Sequence, residues 1–129
     1  MIPFCLDDGV GLIPWSPLAR GLLAGNRGVG GARLTTRAQS DTLANDLYDE
    51  HDLAVADVVR AVAGEGGVAM AQVALAWLFG RPGVNAPIVG ATRPEHIDDA
   101  VAAIEVSLSA DERRRLEAPY RPHAVHGHA

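Results

Sequence analysis

Pro17 decides where the first extended segment of this chain has to stop. Its ring fixes its own φ and biases the preceding Ser16 towards extended backbone, so the apolar run Leu12–Trp15 reads as a short strand that ends there. The continuation to Asn26, SPLARGLLAGN, is a turn followed by a glycine-punctuated loop. Gly21 and Gly25 permit backbone angles and close approaches that a Cβ resists. A strand end of this kind gathers the Ser16 hydroxyl, backbone N–H groups and the Arg20 cation, a collection suited to an anion such as a phosphate group. A polar turn closing a strand accounts for the same residues without a ligand, and local chemistry leaves both readings open.

The remaining chain bounds what surrounds this loop. At 129 residues there is room for one modest domain, and 48% apolar residues supply a core. Aromatic residues are only 5% while alanine is abundant, which favours packed helices over a β-sandwich. The net charge of −5 comes from scattered acids, and the basic cluster Arg113–Arg115 reads as a solvated helix face, so no nucleic-acid partner is expected. Lysine is absent, which rules out a Schiff base or lysine-assisted proton transfer from these residues. Cys5 is the single cysteine, excluding an internal disulfide and consistent with a cytoplasmic setting. No apolar run approaches the ~20 residues of a membrane span, and the start MIPFCLDDGVG lacks the features of a signal peptide.

Strands alternate with helices along the chain. Ile2, Phe4 and Leu6 lie in a first segment without a capping signal, Met1–Asp8, that meets Gly9. Asn26–Ser40 is a long loop, either a flap whose Arg33 or Arg37 closes over a phosphate or a solvated insertion. Asp46–Ala63 shows a helical face of Leu47, Ala54, Val58, Ala61 and Val62, ended by Gly64, Gly66 and Gly67. Val68–Phe79 is a second apolar helix with Met70, Val73, Ala74, Trp77 and Leu78 on one stripe, Met70 and Trp77 being core candidates. After the Pro82–Gly83 turn, Val84–Val89 reads as the second strand. The order implies an α/β fold with a parallel sheet, although two strands close no barrel and leave an edge that favours association.

Thr92 and Glu95 have capping-box spacing, with Pro94 in the first turn and Ile97, Val101 and Ile104 on the face expected to be buried. Ser109 and Glu112 repeat the spacing ahead of a last helix, Ala110–Ala118. A helix N-terminus carrying Arg93 suits a phosphate monoester, and Asp99, about two turns on, suits an amino group on an adenine edge. A plain helix start explains the same residues. Residues 123–129 read as a disordered tail whose His123, His126 and His128 have no acidic or thiol partner to fix a metal site.

Two runs, GVGLIPWSPLARGLLAGN and IVGATRPEHIDDA, closely resemble the aldo-keto reductases. The first is similar to that family's seventh strand and its loop, the second to the passage from the eighth strand into the eighth helix. The wording is nearest the branch that contains potassium-channel β-subunits and bacterial aldo/keto reductases. The resemblance implies the C-terminal portion of a (β/α)8 TIM barrel over residues 1–122, its last two strands and their helices, incomplete as a barrel. Met1–Asp8 would then be the tail of the sixth helix. It also implies NADP(H) as cofactor, an aldehyde or ketone as small-molecule substrate, and hydride transfer between them. By the same resemblance Trp15 stacks on the nicotinamide, and Ser16, Leu18, Arg20 and Gly21 surround the pyrophosphate. Ala91, Thr92, Arg93 and His96 surround the 2′-phosphate, and Asp99 meets the adenine. Two positions depart from the family pattern: Asn26 stands where many members have lysine, and Ala100 where asparagine is usual. The family's catalytic Asp, Tyr, Lys and His come from earlier strands. Neither Tyr48 nor Tyr120 stands at a strand end, so no catalytic residue is assigned here. The chain alone is expected to lack reductase activity. Alternatives are a non-catalytic nucleotide-binding or regulatory module, or a truncated product that folds with a missing N-terminal half or by self-association.

Overall fold

Capping chemistry sets most of the helix boundaries. The structure, a computed structural model, describes residues 1–28, 32, 34–35, 39–40 and 47–122. Helix α1, Ile2–Asp7, has Pro3 in its first turn and buries only Cys5. Helix α2, Glu50–Gly66, starts at a reciprocal capping box: Asp49 Oδ1 accepts from the His51 and Asp52 N–H groups at 2.8 and 3.2 Å, while Asp52 Oδ2 accepts from Asp49 N–H at 3.0 Å. It runs through Gly64 and Gly66 instead of stopping at Ala63 as expected. The stop comes at Gly67, whose φ of +65° suits a residue without Cβ and lets Val68 N–H reach Ala63 O at 3.0 Å. Helix α3, Met70–Phe79, then leaves at 101° to α2.

The core lies between α2, α3 and helix α5, Ala110–Glu117, and contains Val59, Val62, Ala63, Val73, Ala76, Leu108 and Leu116. Met70 and Trp77 pack against it as expected. The stripe expected on α2 is rotated, however: Ala54 and Ala61 are exposed, and the buried residues are Ala56, Val59, Val62 and Ala63. In a helix this rich in alanine and valine two stripes satisfy the 3.6-residue period, and packing against α3 and α5 selects between them. Ser109 caps α5 as expected, its Oγ accepting from Glu112 N–H at 3.2 Å while Glu112 Oε2 accepts from Ser109 N–H at 2.7 Å. Arg115 forks onto Glu65 with bonds of 2.6 and 2.7 Å, tying α5 to the end of α2. Glu117 Oε1 accepts from both Trp77 Nε1 (2.9 Å) and Arg81 Nη1 (2.6 Å), with Arg81 stacked 4.8 Å from the Trp77 ring centre.

Helix α4, Pro94–Ala102, buries none of its residues. Ile97, Val101 and Ile104, expected on its inner face, are 57%, 60% and 65% exposed. These three residues face mostly outward, while Asp99 on α4 accepts from Gln72 on α3.

The expected strands reduce to two isolated parallel bridges, Leu12 with Val84 and Trp15 with Ile88. Two prolines explain the reduction. Leu12 N–H donates to Gly83 O and Leu12 O accepts from Asn85 N–H, both at 2.8 Å. A regular parallel ladder would next bond Pro14 N–H to residue 85 and residue 87 N–H to Pro14 O, but positions 14 and 87 are both prolines and neither has an N–H. Pro14 O accepts instead from Ile88 N–H at 2.9 Å. Two residues on the first segment therefore face three on the second, the count of a bulge.

Truncating the core residue Leu116 to alanine is expected to cost about 2–5 kcal/mol in urea unfolding. A second expectation concerns pH. Hydrogen bonds from Arg115 hold the Glu65 carboxyl below the usual carboxylate range, and those from the Ser109 hydroxyl and backbone N–H do the same for Glu112. With a folded-state pKa below the unfolded one, the unfolded chain takes up protons first on acidification. The stability is present above the usual glutamate value of about 4.3 and is lost as pH falls through the lower folded values. The thermal midpoint should fall in that window, and E65Q should flatten the fall.

Candidate functional site

Because the Trp15–Ile88 bridge is parallel, the chain leaves both segments at the same end, and two loops emerge side by side. The first turns at once. Ala19 N–H donates to Ser16 O at 3.0 Å, and Ser16, Ala19 and Arg20 have φ of +52°, +48° and +54°. The extended geometry expected of Ser16 is not adopted. The turn closed by Ala19 N–H on Ser16 O overrides the extended bias that Pro17 imposes. Left-handed backbone costs about 1–2 kcal/mol for each residue with a Cβ, so three in five residues concentrate strain where a ligand loop is expected.

Asn26 braces this strained run. Its Nδ2 donates to Arg20 O at 3.1 Å, its N–H donates to Gly21 O at 3.1 Å, and its carbonyl accepts from Leu34 N–H at 2.9 Å. Asn26 thus works as a structural clamp on this loop. Leu22 is buried beneath the loop. The buried Arg27 follows, its carbonyl accepting from Arg60 Nη2 at 2.6 Å, while Arg60 also pairs with Asp57 on α2. Sequence reasoning named Asn26 only as a departure from the family pattern and passed over Arg27, although the Gly-Asn-Arg-Gly run was a signal of a tight turn.

The predicted residues divide between the two loops. Trp15, at the bridge, is 78% exposed and presents a free ring face. Ser16, Leu18, Arg20 and Gly21 form the adjoining loop and are half-buried. On the second side Ala91, Thr92, Arg93 and His96 are exposed around the start of α4. The capping box expected of Thr92 and Glu95 does not form: Arg93 is the N-cap, without a side-chain cap, and Thr92 N–H donates instead to His96 Nδ1 at 3.3 Å. Arg93 has no carboxylate partner among the described residues. Asp99 is half-buried, with Oδ1 accepting from Gln72 Nε2 at 3.3 Å. The arrangement offers an exposed aromatic face, backbone N–H groups and one unpaired guanidinium along a single end of the molecule. Arg33, Arg37, His123, His126 and His128 lie outside the described residues.

The sequence profile of the aldo/keto reductase family matches residues 1–121. The chain belongs to that family. It is 45% identical over 130 aligned positions to versiconal hemiacetal acetate reductase of Aspergillus parasiticus, covering 98% of this chain and 37% of that one. An aldo-keto reductase of Alternaria alternata is 40% identical over 129 positions, with coverage of 100% and 34%. Among solved structures, a thermostable aldo-keto reductase in complex with the inhibitor epalrestat superposes with a TM-score of 0.62 at 25% identity, covering 92% of this chain and 33% of that one. The chain thus spans about a third of the length of these relatives. The family is one of oxidoreductases, and its structural neighbour places this chain in the α/β class. No single helix among the described residues is long and apolar enough to cross a membrane.

The clamp on the first loop generates a test. A Cβ on Gly21 would lie 2.8 Å from Asn26 Nδ2, at a φ of +94° that alanine resists. Gly21→Ala is expected to break the Asn26–Arg20 contact at about 1–3 kcal/mol. Amide exchange should then accelerate at Leu23 and Asn26 while α2 and α3 keep their protection.

Proposed function

We propose that this chain supplies the last two strand positions and the cofactor loops of a (β/α)8 barrel, in an NADP(H)-dependent reductase of aldehydes and ketones. The supporting observation is the parallel Trp15–Ile88 bridge, which sets the SPLARG loop beside the start of α4. In a parallel barrel that end of the strands is where active sites and phosphate sites are built.

The residues present fit an extended dinucleotide. The exposed Trp15 ring suits the flat nicotinamide, and the Ser16–Gly21 loop suits the pyrophosphate. Ala91, Thr92, Arg93 and His96 flank a helix start where an unpaired guanidinium and helix N–H groups favour a phosphate dianion. Asp99 lies where it would take up the adenine amino group. When bound, the cofactor supplies the hydride. This chain's residues bind and orient it, and the proton for the carbonyl oxygen comes from groups outside these residues, which contain no lysine. The exposed stripe of Ile97, Val101 and Ile104 would be covered by the remainder of the barrel. The setting we infer is cytoplasmic.

A second reading is a nucleotide-binding module without catalysis, because no catalytic residue is assigned within this chain. Both readings place NADP(H) on these residues, and one measurement separates them. A hundredfold excess of NADP over its dissociation constant should raise stability by about 2.7 kcal/mol, seen as an upward shift of the circular dichroism melt. An unchanged melt at millimolar NADP would sink the free-standing module and mean that these residues need the rest of the barrel to bind. NADPH oxidation with an aldehyde, surviving contaminant controls, would contradict the chain's inactivity on its own. Arg93→Ala should weaken NADP binding by roughly 10- to 100-fold, the range of one charge-assisted hydrogen bond, with little change for NAD.

A further inference from the structure

Gln72 lies in the first turn of α3, outside both cofactor loops, yet it is a direct hydrogen-bond link from the α3 start to Asp99 on α4. Its amide orientation is determined at both ends. Gln72 Oε1 accepts from the backbone N–H of Ala69 at 2.9 Å, so the opposite end of the amide has to be the NH2 group. That group, Nε2, donates to Asp99 Oδ1 at 3.3 Å. A flipped amide would set two donors against each other at Ala69 and two acceptors against each other at Asp99. The link carries unusual weight because α4 buries none of its residues and turns its apolar stripe outward. With none of its residues fully buried, α4 has this polar tether to α3 to hold its half-buried carboxylate.

We propose that Gln72 is the positioning residue for the adenine end of the cofactor site. It occupies Asp99 Oδ1 and thereby leaves Oδ2 to accept from an exocyclic amino group. The proposal rests on the reading of Asp99 as the adenine acceptor. Gln72 itself touches no cofactor atom. It acts by holding the carboxylate's rotation and the height of α4 over α3.

The test uses the 129-residue chain and three probes: NADPH, adenosine 2′,5′-bisphosphate and reduced nicotinamide mononucleotide. Q72E keeps an acceptor for Ala69 N–H but removes the donor to Asp99 and puts a second carboxylate against it. It should weaken NADPH and the bisphosphate about tenfold and leave the mononucleotide unchanged. In a D99A background the Q72E penalty should vanish. A general loosening of the fold would instead weaken all three probes together, and that result, or an unchanged bisphosphate affinity, would overturn the proposal. Should Q72E lose its cooperative melt, Q72M removes the donor without adding charge. Although it also gives up the Ala69 N–H bond, a loss confined to NADPH and the bisphosphate supports the proposal and an equal loss for all three probes overturns it. A wild-type chain that binds none of the probes would sink the cofactor-site reading itself, whereas wild-type binding with no selective loss in Q72E would sink only the role of Gln72.

Discussion

Two missing N–H groups shape this structure more than any contact that is present. Prolines at positions 14 and 87 fall on the same rung of a parallel pairing that begins at Leu12 and Val84, and neither can donate. The pairing slips by one residue, Ile88 N–H takes over the carbonyl of Pro14, and the second bridge forms at Trp15. The slip determines which residues stand at the exit of each segment, and so which side chains the two loops present together. Had the rung been regular, a different residue would face Trp15 and the GATRPEH turn would emerge at another height.

The first loop shows how a sequence holds strain in place. Three residues with a Cβ adopt left-handed backbone within Ser16–Arg20, a conformation that persists only when the surroundings impose it. Asn26 does so through three hydrogen bonds to the Arg20 carbonyl, the Gly21 carbonyl and the Leu34 N–H. Buried Leu22 below and Arg27 behind tie the loop to the helical core. The loop is thus rigid at both ends, a requirement for any site that holds a flexible ligand in one pose.

The helical core and the loops are unevenly tied to each other. Helices α2, α3 and α5 share a compact apolar interior reinforced by the Arg115–Glu65 fork and the Trp77–Arg81–Glu117 cluster. Helix α4 buries none of its residues, meets α3 through the Gln72–Asp99 bond and turns its large apolar residues outward.

Much of this was readable from the residues. The Ser109–Glu112 spacing located the start of α5, and the period of apolar residues located α2 and α3 to within a few positions. The two motif runs were enough for the family, which the match over residues 1–121 bears out. These features are local: caps, periods and turn residues act within a few neighbours, so the sequence determined them by itself. Tertiary structure decided what depends on distant partners. It chose the buried stripe of α2, because alanine and valine made two stripes equivalent until α3 and α5 packed against one. It turned Ile97, Val101 and Ile104 outward, because periodicity identifies an apolar face and not what covers it. It joined Gln72 to Asp99 across 27 residues, because a side chain takes the partner that the assembled backbone brings within reach.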